Sequence, residues 1–194
     1  DFRETGFNTT FHGEDQFFSI YEAGATPRLP SANGWLQGAY RVGFWLDGVP
    51  RARFKDGRTR SDDAGFYLSF DQMLYREKEG ADVDDLSAQG LGAFARYGLT
   101  DGDVNEVRTF WSAGLQYRGP LPGRDEDILA FGAAQGCLSK EAAFRASHET
   151  AMEVYYSIRV TGWLRISPSA QYVFNAGGDG SDAVVVGMRA QMAF

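Results

Sequence analysis

A side-chain period of two, sustained over long stretches, constrains this chain more than any other feature. Between Asp182 and Phe194, the residues Val184, Val186, Met188, Ala190, Met192 and Phe194 share one face, and Val185, Gly187, Arg189, Gln191 and Ala193 share the other. Successive side chains of a strand point to opposite faces, so this alternation predicts a β-strand. The same pattern runs through 36–47, 107–118, 151–160 and 164–174, and less cleanly through 15–26, 64–76, 87–98 and 126–137. The expectation is about nine antiparallel strands of roughly ten to fourteen residues. Globular strands usually have about five or six residues, whereas a tilted strand crossing a bilayer needs about nine to eleven. No helical stripe of comparable strength competes.

Composition narrows the function. The net charge is −7 over 194 residues, which argues against a nucleic-acid partner, since those normally meet a basic face. No segment approaches the ~20 apolar residues of a transmembrane helix. Cys137 is the single cysteine and His12 and His148 are the only histidines, so an internal disulfide and a cysteine metal cluster are excluded and imidazole chemistry has two candidates. No nucleophile elbow surrounds a serine. Gly178, Gly180 and Gly187 open no helix and so make no phosphate loop. The expectation is a non-enzyme with no cofactor and no metal centre. Asp101, Asp103 and Asn105 place oxygens at alternate positions, like the opening of a calcium loop. That stretch lacks the distal Glu, so a solvated acidic turn is the plainer reading of it.

The connections alternate in length. Residues 160–163 and 119–123 are short turns, while 47–63 is long and carries Arg51, Arg53, Lys55, Arg58 and Arg60 against Asp56, Asp62 and Asp63. Bacterial outer-membrane barrels have short periplasmic turns and longer extracellular loops, although the stretch 77–86 is also long where a short turn is expected. Aromatics near the strand ends, such as Trp163, Tyr172 and Phe174, or Trp111 and Tyr117, suit the interfacial girdles. The opposite faces carry Arg41, Asp71, Arg96, Arg108, Glu153, Arg159, Arg165 and Arg189, together with the rings of Trp45, Tyr67, Tyr75, Phe110 and Tyr155. Of 19 basic residues only Lys55, Lys78 and Lys140 are lysine. Planar charged forks satisfy hydroxyls in pairs, and aromatic faces pack on the C–H faces of a sugar ring. Arg41, Trp45, Arg96, Arg108, Phe110, Glu153, Tyr155 and Arg159 combine these two devices, most of them on neighbouring strands, and the resemblance described next implies that they line a sugar path. The bland reading of the same residues is a wet lining of paired charges, with arginine enriched by a high-GC genome.

Several segments carry a family resemblance. They are 71–77 (DQMLYRE), 93–98 (AFARYG) with the acidic loop to Asn105, and 114–127 (GLQYRGPLPGRDED), followed by Glu149, 153–156 (EVYY), 171–175 (QYVFN), Gly177 and Gly178, and 187–189 (GMR). In order and spacing the chain resembles the OprB-type carbohydrate-selective porins of Gram-negative outer membranes, with Ala176 where such proteins often have proline. The resemblance implies an integral outer-membrane β-barrel of sixteen strands. Residues 1–194 would form a single barrel portion of about nine strands, the N-terminal strands being absent from it. It also implies passive diffusion of mono- or disaccharides, contact with outer-membrane lipid and a homo-oligomer as a possible state. The alternatives are a general, weakly selective porin and a soluble all-β carbohydrate-binding module.

Overall fold

The computed structural model describes residues 16–78 and 88–193. His12, Phe194 and most of the stretch 77–86 lie outside the described residues. The elements are β1 (Phe18–Ala25), β2 (Arg28–Ser31), β3 (Gly34–Asp47), β4 (Arg51–Ala52), β5 (Thr59–Arg60), β6 (Asp63–Arg76), β7 (Gly90–Thr100), β8 (Val107–Arg118), β9 (Ile128–Leu138), β10 (His148–Arg159), β11 (Leu164–Phe174) and β12 (Ala183–Met192), with one 3-10 turn, Ala176–Gly178. Nine strands form one antiparallel path, β1-β3-β6-β7-β8-β9-β10-β11-β12, and β2 pairs beside β1 on β3. Each of the nine overlaps one of the alternating segments. The short β2 and the hairpin β4–β5 leave no comparable mark in the sequence. Among the described residues, β1 and β12 lie at opposite edges, so the sheet is open. Among the described residues no helix is long and apolar enough to cross a membrane, a statement that does not concern strands.

Register turns the alternation into two continuous faces, because directly opposed residues of an antiparallel pair point the same way. Tyr172 faces Val184, Ala170 faces Val186 and Pro168 faces Met188, while Gln171 faces Val185, Ser167 faces Arg189 and Arg165 faces Gln191. Val184, Val186 and Met188 are 69%, 80% and 77% exposed. An apolar face this exposed is what a sheet in contact with lipid presents. Rings gather on it: Tyr21 stacks on Phe44 at 4.9 Å and Tyr40 meets Phe70 edge-on at 5.4 Å. On this face the Trp111 indole N–H donates to Gln135 Oε1 (3.0 Å), whose amide donates to Thr150 (2.7 Å).

Two bulges reset the expected parity, one where Val107 opposes Leu138 but Thr109 opposes Cys137, and one in β6. Met73 opposes Gly92 but Tyr75 opposes Leu91, so Leu74 is an inserted residue. The bulge turns Tyr75 onto the apolar face, beside Leu91 and Tyr117, and removes it from the polar wall.

The connections sort to two ends. The connections 48–62, 101–106, 139–147 and 175–182 lie at one end, here the loop end, and 26–33, 119–127 and 160–163 at the other, the turn end, so length does not separate the two ends as the sequence pattern predicts. At the loop end the Phe54 N–H donates to Asp103 O (2.9 Å), the Ser139 N–H to Glu106 O (2.8 Å) and the Arg145 and Ala146 N–H groups to Gly178 O (3.0 Å each). Most of the buried side chains are polar, among them Asp47, Asp63 and Asp127 near these ends.

Candidate functional site

The polar face is built from rows that cross the strands. One row runs Glu22, Gly43, Tyr67, Gly98, Phe110, Gly136 and Glu149. The next inward row runs Gly24, Arg41, Ser69, Arg96, Ser112, Ala134 and Ala151, and the one after it Ala39, Asp71, Phe94, Gly114, Gly132, Glu153 and Gln171. Many of the large side chains stand beside glycine, alanine or serine, so a ring can spread over its neighbour's backbone, while Asp71 adjoins Phe94 and Glu153 adjoins Gln171 directly. This accommodates the high glycine content, 24 of 194 residues, within strands that glycine otherwise weakens.

The strongest charge pair of the wall joins β6 to β7. Arg96 Nη2 donates to both Asp71 oxygens, at 2.8 and 2.9 Å, and Nη1 donates to Phe70 O at 2.7 Å. A planar fork held at both ends is fixed in direction. The Arg96 guanidinium carbon lies 5.4 Å from the centroid of the Phe94 ring. Nearby, the Tyr67 hydroxyl donates to Glu22 (2.7 Å), and Arg41 Nε lies 3.8 Å from the same carboxylate.

Six of the eight residues expected on the sugar path fall into two groups, and Arg108 and Arg159 lie apart from both. Arg41, Trp45 and Arg96 share the β3–β7 part of the wall, and Phe110 adjoins it on β8. Glu153 and Tyr155 lie on β10, with Arg165, Ser167, Ser169 and Arg189, around a recess of about 400 Å³. Between these groups the rows pass through Gly114, Gly132, Ala130 and Ala134, a shallow saddle. From β7 to β10 is three strand spacings, roughly 14 Å. The residues thus line two patches rather than one. Arg108 sits at a bulge where Val107 opposes Leu138 and Thr109 opposes Cys137, with its stem against Gly102 of the loop end. Arg159 belongs to the turn end: its guanidinium pairs with Glu126 and also donates to Thr161 O.

Phe94 escapes sequence reading because it sits in an apolar run, although its parity with Arg96 places it on the polar face. Glu22 has the same kind of signal, its parity with Gly24. Asp127 is missed altogether. It is 1% exposed and accepts from Arg124 Nε (2.7 Å) and Nη2 (3.0 Å), the Tyr156 hydroxyl (2.8 Å) and the Arg159 N–H (2.9 Å). Burial pushes its carboxyl up, but those hydrogen bonds outweigh burial and hold it below the usual carboxylate range. Asp101 is also held low, chiefly by the Asp103 N–H and against partial burial, with Arg60 assisting. Asp103 pairs with Arg53 at 2.7 Å, and Asp101 pairs with Arg60. The acidic turn thus serves as a latch for the 48–62 loop, and among the described residues no group of three acids, histidines or cysteines could hold a metal.

A long-stranded antiparallel sheet, apolar on one face and lined on the other by paired charges and rings, defines an outer-membrane β-strand protein of the porin class. The chain belongs to the carbohydrate-selective porin, OprB family, whose match runs over residues 2–194. It is 24% identical over 195 residues to Porin B of Pseudomonas aeruginosa, an alignment taking in 82% of this chain and 42% of that protein. The high-pH structure of Pseudomonas putida OprB has the same fold at a TM-score of 0.78 and 24% identity, covering 97% of this chain and 51% of that one. The low-pH structure of Pseudomonas putida OprB matches at a TM-score of 0.65 and 27% identity, covering 92% and 47%. The chain therefore spans about half the length of these relatives. Porins are channels rather than enzymes.

Proposed function

We propose that residues 1–194 form one portion of the wall of an outer-membrane channel, completed to sixteen strands by further N-terminal strands, through which mono- or disaccharides diffuse passively. The lipid-facing side is the apolar face of Val186 and Met188, and sugar meets the face of Arg96. The observation that carries this reading is the Asp71–Arg96 pair set beside the Phe94 ring. A lumen lined by both signs of charge keeps a strong local field, and neutral polyhydroxyl solutes can replace the water bridging those groups. Weak, repeated contacts let a sugar enter without trapping it. Arg41, Trp45, Phe110, Glu153 and Tyr155 extend the path to either side of the Asp71–Arg96 pair. Arg108 guards the loop end, and Arg159 supports the turn end. Association into a homo-oligomer through the apolar face is part of the same reading.

The test is single-channel conductance of the full-length porin, titrated with mono- and disaccharides. Concentration-dependent block is the expected result; a channel that conducts salt and ignores every sugar sinks the reading in favour of a general porin. Arg96→Ala should weaken block and raise ion conductance together. Arg placed at Val186 should cost about 2–4 kcal/mol if that position lies near the bilayer midplane, whereas Arg at the adjacent Val185, on the polar face, should cost far less. Equal losses at both positions would refute the assignment of faces.

A further inference from the structure

Three rings from adjacent strands lie together at the loop end of the polar wall. Trp45 of β3 sits two residues in from Asp47, and its indole lies across Gly65 of β6. Tyr67 of β6 lies the opposite way, across Gly43 of β3. Phe18 of β1 stacks on Trp45, with centroids 5.8 Å apart and planes 29° apart. The nearest atoms to a Cβ added at Gly65 would be those of the Trp45 indole, well inside van der Waals contact, and the nearest to one at Gly43 would be those of the Tyr67 ring and hydroxyl. Both glycines have ordinary strand backbones, so the missing side chain, and not an unusual φ, is what these positions supply. Phe110 differs: the nearest atoms to a Cβ on its opposite glycine, Gly98, are at 3.9 and 4.0 Å, and the Phe110 ring is not among them. Glu22 adjoins Tyr67, accepting from its hydroxyl, with Arg41 beside it.

We propose that Phe18, Trp45 and Tyr67 form a stacking platform for the C–H face of an entering pyranose, and that Gly43 and Gly65 are positioning residues that lay the two larger rings flat against the wall. The inference rests on the sugar-channel reading above. A ring flat on the wall offers its whole face to the lumen and leaves the bore open; a ring lifted by a methyl group offers its edge and narrows the bore. The flanking carboxylate and guanidinium then meet the hydroxyls at the rim of the bound ring, as sugar recognition requires.

The test uses the full-length porin in planar bilayers, with glucose and maltose as probes. Gly65→Ala and Gly43→Ala should each lower salt conductance and weaken sugar block about two- to tenfold, the span of an aromatic contact, while Gly98→Ala should change neither. Trp45→Leu and Tyr67→Leu should weaken block to the same degree with conductance undiminished, and these variants carry no added bulk that could prevent folding. Adding Gly65→Ala to Trp45→Leu should then have no further effect, since the ring it displaces is gone; a purely structural role for Gly65 would persist in that background. Block unchanged in the two leucine variants overturns the platform while leaving the channel reading intact. A wild-type channel that neither sugar blocks overturns both, and conductance unchanged by Gly65→Ala and Gly43→Ala overturns the seating of the rings.

Discussion

The two ends of the sheet are held by opposite electrostatic designs. At the turn end a buried anion, Asp127, collects donors from Arg124, Tyr156 and Arg159. At the loop end a cation stands between anions: Arg51 pairs with Asp63 at 2.9 Å and with Asp47, the opposed first residue of β6 and last residue of β3, and also reaches Asn105. Beyond it, Arg53 and Arg60 bind the 48–62 loop to Asp103 and Asp101. The difference teaches that the 119–127 turn can be fixed by one acceptor, whose donors come from the turn itself and from the adjoining strand β10, whereas the 48–62 loop needs several contacts, some of them with segments of other hairpins. Losing the centre at one end should unfasten everything there, and losing a single tie at the other should not.

Asp127→Ala should have the largest effect. It strands the Arg159 N–H and the Tyr156 hydroxyl, and a destabilisation of about 2–3 kcal/mol is expected from donors left unmatched, read from thermal unfolding in detergent. A loss no greater than that of an exposed surface substitution would remove Asp127 as the centre. Next comes Arg51→Ala, which leaves Asp47 and Asp63 facing each other without their shared cation. Its loss should be partly recovered by adding Asp63→Asn, because the like-charge repulsion is then relieved; an Arg51→Ala variant made worse by that second change would count against the bridging role.

Acid should loosen both ends together. Asp127 and Asp101 are held below their unfolded values, so each contributes stability that is fully present above the ordinary aspartate range near pH 4 and is lost as pH falls through the depressed folded value. Unfolding temperature should therefore be flat from pH 7 to 5 and fall only below about pH 4, with a shallower fall in Asp127→Ala. A drop between pH 7 and 5 would point to other groups. The smallest effect is that of salt. The ties of Arg53 and Arg60 are partly exposed, with both arginine side chains 31% accessible, and are screened at high ionic strength. Limited proteolysis in 1 M salt should quicken within 48–62 and stay unchanged within 119–127.

The strands are legible because parity is strict in Val184–Met192 and its counterparts, and a one-residue slip would exchange the apolar face for the polar one. Tyr75 was misassigned because a bulge at Leu74 resets the parity without any marker in composition. The arginines of 47–63 were visible as partners for local acids, and Arg60–Asp62 and Arg53–Asp56 do form. Their bonds to Asp101 and Asp103 depend on which loops the sheet brings side by side, which no local spacing encodes. The same limit applied to the wall. Alternation put Arg96 and Phe110 on the polar face, but which ring covers which glycine follows from cross-strand register, and that is settled by turns such as the one closed on Asp127.

The glycine-seated rings also bear on how this sequence can change. Gly65 and Trp45 occupy one volume of space between them, as do Gly43 and Tyr67, and Phe94 with Gly114, where an added Cβ would come within 2.5 Å of the ring. Members of each pair stand on different strands, so a substitution at one is tolerated only in the company of its partner. Among sequences that share this sheet, a side chain at 65 should appear together with a smaller residue at 45, and bulk at 43 with loss of the ring at 67. Such paired exchanges would read out the register of β3 against β6 from sequence variation alone, where single sequences are silent.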